Sequence, residues 1–448
     1  MLNSVFKKII ENKMLLVILI SSFLITLAYS FYFRIEPVVD AQAYDDIAIN
    51  IIDGFGFIED RTLSFEQDKA IVRAGPGYEY LLAGIYKIFG HHYEPVWVIQ
   101  AMLHIFSVLL IFLTAKLLFG EQKNKMALIA AALFAFSPDL IEISAMIMSE
   151  TLYLFFTVSV LYLFVRTYNN ADNKLLSVIT GFIVGVAILT RPPILLFVPI
   201  FLFFYFRKKQ YFSIGLFLLF IIIPILPWVV RNYLIYNQLI LTTMVAEYNL
   251  WVGNTLLSDG GQISGGFNAL TNYTDRYGFL GLKEKAGAEF RGFLFMHPFI
   301  FIKLCFLRFV RYFSLIRPMG FWFYQYGVGQ MIMVVSSLVW IAFLFVTGFS
   351  GMVRALYKKK EIFYYLIILA LTSPLALIPT VVQSRYRFQI YPFLCIFAGY
   401  FIVFVLQNKK DWHKKNIFYM PALFLIFISI IDILFNLEKI IERLKGFF

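Results

Sequence analysis

A chain of 448 residues that is 60% hydrophobic, 19% aromatic and only 15% charged is too apolar to fold as a soluble domain and needs several bilayer spans to hide its surface. Its net charge of +12 would suit a nucleic-acid binder, but the basic residues sit in short clusters between apolar runs, where they orient a membrane chain. No nucleic-acid partner is expected. Cys305 and Cys395 lie far apart in apolar segments, so neither a disulfide nor a metal site is read from them. His91-His92 with Glu94 nearby has no second ligand cluster and reads as solvated loop.

Taken in order, the N-terminus places Lys7, Lys8 and Lys13 before an apolar run, Met14–Phe33, with Ala28-Tyr29-Ser30 as a weak cleavage site. At about 20 residues the run exceeds the roughly 7–15 of a signal core, so it reads as a retained anchor. Apolar runs recur at Pro95–Phe119, Met126–Phe136, Met146–Val165, Leu175–Leu189, Ile194–Phe206, Phe212–Val230, Gln330–Gly348, Ile362–Pro379, Phe388–Leu406 and Ile417–Phe435. The expected fold is an all-α polytopic membrane protein with about eleven transmembrane helices and two long extracytoplasmic loops. Six regions follow: a cytoplasmic tail and first span (1–33), a first external loop (34–94), a transmembrane bundle (95–230), a second external loop with an interfacial helix (231–328), a C-terminal bundle (329–436) and a short tail (437–448).

Charge orients these spans. With the N-terminus in the cytoplasm, the short inside loops carry Lys123 and Lys125; Arg166 and Lys174; Arg207, Lys208 and Lys209; Arg354 and Lys358 to Lys360; and Lys409, Lys410, Lys414 and Lys415. Every one is basic, as the positive-inside rule requires. The expectation is a multi-pass protein of the plasma (inner) membrane with its site on the extracytoplasmic face. Within the second loop, the Gly260-Gly261 and Gly265-Gly266 stretch must be ordered by packing on the bundle. From Pro298 onward Lys303, Arg308 and Arg311 share an arc of about 140°, which reads as a helix on the outer leaflet with cations toward head groups or the site.

The polar groups left at that face are the acids Asp40, Asp45, Asp46, Asp139, Glu142 and Glu150 and the bases Arg34, Arg73, Arg191, Arg231, Arg385 and Arg387. One arginine near a span end is commonly a snorkelling anchor. Several at one face, most with no acid beside them in sequence, point instead to a bound anion, and guanidinium suits phosphate. In an extended connection Arg385 and Arg387 would point the same way and share one phosphate. No P-loop or dinucleotide fingerprint is present, which speaks against a nucleotide-driven enzyme.

These residues resemble the glycosyltransferase-C superfamily, in its branch of protein O-mannosyltransferases and lipid A aminoarabinose transferases. The resemblance runs through Asp40-x-x-x-Tyr44 after the first span, Arg73-Ala74-Gly75-Pro76-Gly77-Tyr78, Ser149-Glu150-Thr151-Leu152, Thr190-Arg191-Pro192, Pro227-Trp228 with Arg231-Asn232, and Arg385-Tyr386-Arg387. It implies a membrane glycosyltransferase that moves a sugar from a polyprenyl-phosphate donor to a lipid, glycan or protein acceptor. Asp40 would be the general base; Arg73, Arg191, Arg231, Arg385 and Arg387 would bind the donor phosphate; Tyr44, Glu142 and Glu150 would support the sugar or the structure. The second acid common in the family is replaced by Ala41, so the strict acidic pair for a divalent metal is missing; a divalent metal stays an open alternative, and no other cofactor is implied. A large external C-terminal domain, used by some members for acceptor recognition, is not expected either. The alternatives are a polyprenyl-linked glycan flippase or transporter, whose charges should lie near the bilayer midplane, and an O-antigen-type polymerase, which lacks the early Asp loop.

Overall fold

The computed structural model describes residues 12–73, 75–120, 124–261, 278, 281, 284–317, 324–325, 327–408 and 416–445. Lys7, Lys8, Ala74, Lys123, Gly265, Gly266, Lys409, Lys410, Lys414 and Lys415 lie outside them. Among the described residues there is helix and no strand. In lipid a helix satisfies every backbone group within its own segment.

Helix α1 (Lys13–Phe33) is followed by two short helices, α2 (Asp40–Ile52) and α3 (Gly77–Phe89). The bundle continues with α4 (Tyr93–Phe119), α5 (Asn124–Ala135), α6 (Pro138–Ser144), α7 (Glu150–Asn169), α8 (Lys174–Thr190), α9 (Val198–Arg207) and α10 (Tyr211–Tyr236). Next come α11 (Val245–Gly253), α12 (Glu284–Met296) and α13 (Pro298–Phe313), then α14 (Gly327–Tyr357), α15 (Glu361–Leu377), α16 (Tyr391–Gln407) and α17 (Asn416–Lys445).

Each apolar run of the sequence is a helix, but not each is long enough to cross a bilayer. Among the described residues seven stretches are long and apolar enough, or up to nine if each bent pair is one span. Lys174–Thr190, Pro192–Arg207 and Glu361–Leu377, which the expected eleven includes, are short against the ~20 residues a crossing needs, so the count of eleven is not established. Proline sets the breaks: Pro138 starts α6 at 53° to α5, and Pro298 starts α13 at 104° to α12.

Close helix contact rests on small residues. On α8, a Cβ on Gly181 or Gly185 would stand 2.4 or 2.5 Å from the Phe217 or Ile221 carbonyl oxygen of α10. Only glycine lets these two backbones approach so closely. A second, smaller core caps one end of the bundle. It packs Ile47 of α2 and Phe57, Ile71 and Val72 of the first loop against Trp228 and Tyr236 of α10 and Tyr248 and Val252 of α11.

Helix α13 departs from the interfacial reading. Lys303 is exposed, but Arg308 is fully buried. It donates to Asn254 Oδ1 at 3.0 Å, to the Gly260, Ile378 and Pro379 carbonyls and to the Gly253 carbonyl. Arg311 meets Asp259 at 3.4 Å and Asn436 at 3.1 Å. These two cations face carbonyls and acids of the protein, not head groups. A loop without a core of its own holds its shape by filling a guanidinium's donors with its carbonyls.

Candidate active site

The site begins where α1 ends. Arg34 takes a left-handed conformation there and pairs with Glu94 at the start of α4. Asp40 is the first residue of α2, where the N-terminal end of a helix favours a carboxylate. The buried Tyr44 packs edge-on to Tyr78 of α3 at 5.7 Å between ring centres, fixing α2 on α3.

The polar loop that carries Arg73 is tied internally. Asp68 accepts from the backbone N–H groups of Glu59 (2.9 Å), Asp60 (2.8 Å) and Ala70 (2.8 Å), and Asn50 donates to the Ile58 and Glu59 carbonyls. Beyond Arg73, a Cβ on Gly75 would overlap the Leu189 carbonyl oxygen at 1.9 Å. That contact sets the loop against the end of α8, next to Arg191.

An alternating line of acids and arginines results. Arg73 grips Glu59 with Nε and Nη2, both at 2.9 Å, and turns Nη1 to Asp40 Oδ1 at 3.3 Å. The other Asp40 oxygen accepts from Arg385 Nη2 at 2.6 Å. Arg385 also holds Gln383 at 3.1 Å and lies 3.7 Å from Glu150 Oε1. Glu150 accepts from Arg191 Nη2 at 2.7 Å, and Arg191 Nε donates to Ser149 at 3.0 Å. The Tyr386 ring stands 5.2 Å from the Arg385 guanidinium and 5.9 Å from that of Arg191. Glu150 and Arg385 are buried, whereas the Asp40 side chain keeps 27% exposure. Burial pulls the Asp40 carboxyl upward. The Arg385 guanidinium, with the charges of Arg73 and Arg191, outweighs that pull and holds it below the ordinary carboxylate value.

Three of the five expected arginines therefore gather around Asp40, and two do not. Arg231 lies among the rings of Phe57, Phe65, Trp228 and Tyr236, 4.9 to 5.7 Å from their centres, and bonds Asn232 and the Phe57 carbonyl. It clamps the first loop onto α10. Arg387 is buried and donates to the Ser314 carbonyl at 2.8 Å, to the Tyr312 carbonyl at 3.5 Å and to the Arg317 carbonyl. The shared clamp with Arg385 fails because Ser384–Ile390 is a 3₁₀ turn and not extended chain, so residues two apart diverge by about 120°.

The expectation of arginines without acids is likewise corrected: each of the three around Asp40 has a carboxylate partner brought from another element. Glu142 accepts from Tyr324 at 2.5 Å, and Asp139 accepts from Ser337 and Tyr391. Asp45 is caged by Tyr86 (2.5 Å), Tyr93 (2.8 Å) and His91 (3.1 Å), so His91 has a partner beyond solvent.

Sequence reasoning missed Glu59 and Glu79. Glu59 is 14 residues from Arg73 in a polar loop, a separation with no periodic signal. Glu79 is fully buried on α3, and among the described residues neither carboxyl oxygen has a partner beyond its own residue. An acid two residues after Gly77 at the head of an amphipathic helix was the available cue. Among the described residues, no three His, Cys, Asp or Glu side chains come together to hold a metal ion.

Residues 73–228 match the family model of dolichyl-phosphate-mannose-protein mannosyltransferases. No curated protein matches the chain. Among solved structures it is similar to an apo oligosaccharyltransferase of Archaeoglobus fulgidus (TM-score 0.55, 18% identity, 93% of this chain and 54% of that one). It is also similar to AglB of that organism in complex with an inhibitory peptide and a dolichol-phosphate (0.50, 17%, 95% and 55%). A third relative is ArnT of Cupriavidus metallidurans bound to undecaprenyl phosphate (0.51, 11%, 96% and 72%). The chain spans about half the length of the archaeal proteins. Its helices, the family match at residues 73–228 and these likenesses together make it a multi-span membrane protein with the glycosyltransferase-C fold.

Proposed function

We propose that this protein transfers a sugar from a polyprenyl-phosphate donor to an acceptor hydroxyl, with inversion, at the extracytoplasmic face of the plasma membrane. The observation that carries the reading is Asp40 bridged between Arg73 and Arg385, with Arg191 one carboxylate further on. A base for a hydroxyl and guanidiniums for a phosphate lie side by side. The polyprenyl phosphates bound by two of the similar structures support the donor class.

In the reaction, the acceptor oxygen forms a bond to the anomeric carbon as the bond from that carbon to the phosphate oxygen breaks. The electron pair leaves with the phosphate, and the hydroxyl proton passes to Asp40. The leaving phosphate departs as an anion and needs positive charge more than a proton, which Arg73, Arg191 and Arg385 supply. One carboxylate suffices here, whereas a glycosidase needs two. Glu150 acts as a structural partner of Arg191 and Arg385.

Purified protein incubated with labelled polyprenyl-phosphate sugars and a cell-envelope acceptor extract should consume one donor. Asp40→Asn should lower turnover by roughly 10²–10⁴ in a folded protein. Near wild-type turnover in that variant would remove Asp40 as the base. Movement of the lipid-linked sugar across vesicles without donor loss would favour a transporter.

A further inference from the structure

Each guanidinium on Asp40 has a second, independent anchor. Arg73 is gripped bidentately by Glu59, and Arg385 is held by Gln383 and flanked by Glu150. If the Asp40 carboxylate withdrew, both guanidiniums would stay in place and leave an anion-sized gap between them. The charges support this. Arg73, Arg385 and Arg191 balance Asp40, Glu59 and Glu150; without Asp40 the line carries one surplus positive charge.

The backbone shows where withdrawal would occur. Val39 has φ 53° and ψ −111°, in left-handed territory that a β-branched residue rarely enters. Val39 is 70% exposed, and among the described residues no side-chain hydrogen bond caps the start of α2. Strain of this kind persists only where the surroundings over-determine it. Here those surroundings are the packing of α2 and the two ion pairs of the next residue.

Resting on the donor reading above, we infer that Asp40 occupies the seat of the donor phosphate between Arg73 and Arg385, and that donor binding displaces it by a turn at Val39 and so unmasks the base. A carboxylate and a phosphate offer the same oxygen acceptors to two guanidinium edges. In the free protein the base is idle, since its proton-accepting oxygens are both engaged. With phosphate in the seat, Asp40 loses its cationic partners and becomes the stronger base.

The test is binding of a polyprenyl monophosphate to the detergent-purified full chain, with the uncharged polyprenol as control. Wild type should prefer the phosphate. Asp40→Asn removes the competing charge and should bind it about tenfold or more tightly, while losing turnover. Asp40→Ser, which also removes the charge, should behave alike and guards against a folding defect in either variant. Val39→Gly adopts the strained backbone freely, stabilises the masked state and should bind severalfold more weakly. A wild type that binds both lipids equally overturns the donor reading. A wild type that prefers the phosphate, with Asp40→Asn and Asp40→Ser binding equally or more weakly, overturns the exchange alone. Unchanged binding in Val39→Gly overturns the hinge.

Discussion

Glu79 offers the most quantitative check on the packing around the site. Its carboxyl is fully buried on α3 and has no hydrogen-bond partner beyond its own residue among the described residues. Burial is the dominant influence and pushes its pKa from 4.5 up to about 8, against the opposing pull of Arg191 and Arg73. The folded protein therefore keeps the proton at pH 7, whereas the unfolded chain releases it. Folding stability is unaffected by this group below pH 4.5, falls by about 1.4 kcal/mol per pH unit between the two values, and is flat above pH 8. The penalty is about 3 kcal/mol at pH 7 and about 5 kcal/mol above pH 8. Glu79→Gln keeps the shape and cannot ionise, so it should unfold at a higher temperature than wild type. The gap should be small at pH 5 and widen up to pH 8. Thermal unfolding followed by intrinsic fluorescence in detergent across that range measures it. A gap independent of pH, or a wild type that gains on the variant as pH rises, would refute a neutral buried acid at this position.

The two arginines flanking Tyr386 should separate. Arg385→Lys keeps charge but loses the planar fork and should weaken donor use by about 1.5–3 kcal/mol with normal protein abundance. Arg387→Lys, whose guanidinium binds carbonyls of 312–317, should lower the unfolding temperature and leave the donor KM of the surviving protein unchanged. The opposite assignment of the two effects would contradict the geometry. For orientation, a cysteine at the exposed Thr62 should react with an impermeant thiol reagent from outside, and one at the exposed Lys359 should not. The reverse labelling pattern would put the proposed site in the cytoplasm.

The helical character of this protein was legible in the sequence by itself, because a helix in lipid needs only a long enough apolar run. Every apolar run became a helix, and Asp40, Arg191 and Arg385 could be named from their places near the ends of those runs, Arg73 from the pattern Arg73-Ala74-Gly75-Pro76-Gly77-Tyr78 in the first loop. Whether a run crosses the bilayer was not legible, since Pro138 and Pro298 bend their helices by amounts that packing decides. Nor were the partners of the arginines. Glu59 meets Arg73 because Asp68 and Asn50 fold the loop back. Glu150 meets Arg191 from 41 residues away, and Asp40 meets Arg385 from 345. Arg387 and Arg308 looked like site or head-group cations and are buried against carbonyls instead. Apolar length is a property of one segment, so the sequence displays it; an ion pair joins two segments, and only their packing decides which charges meet.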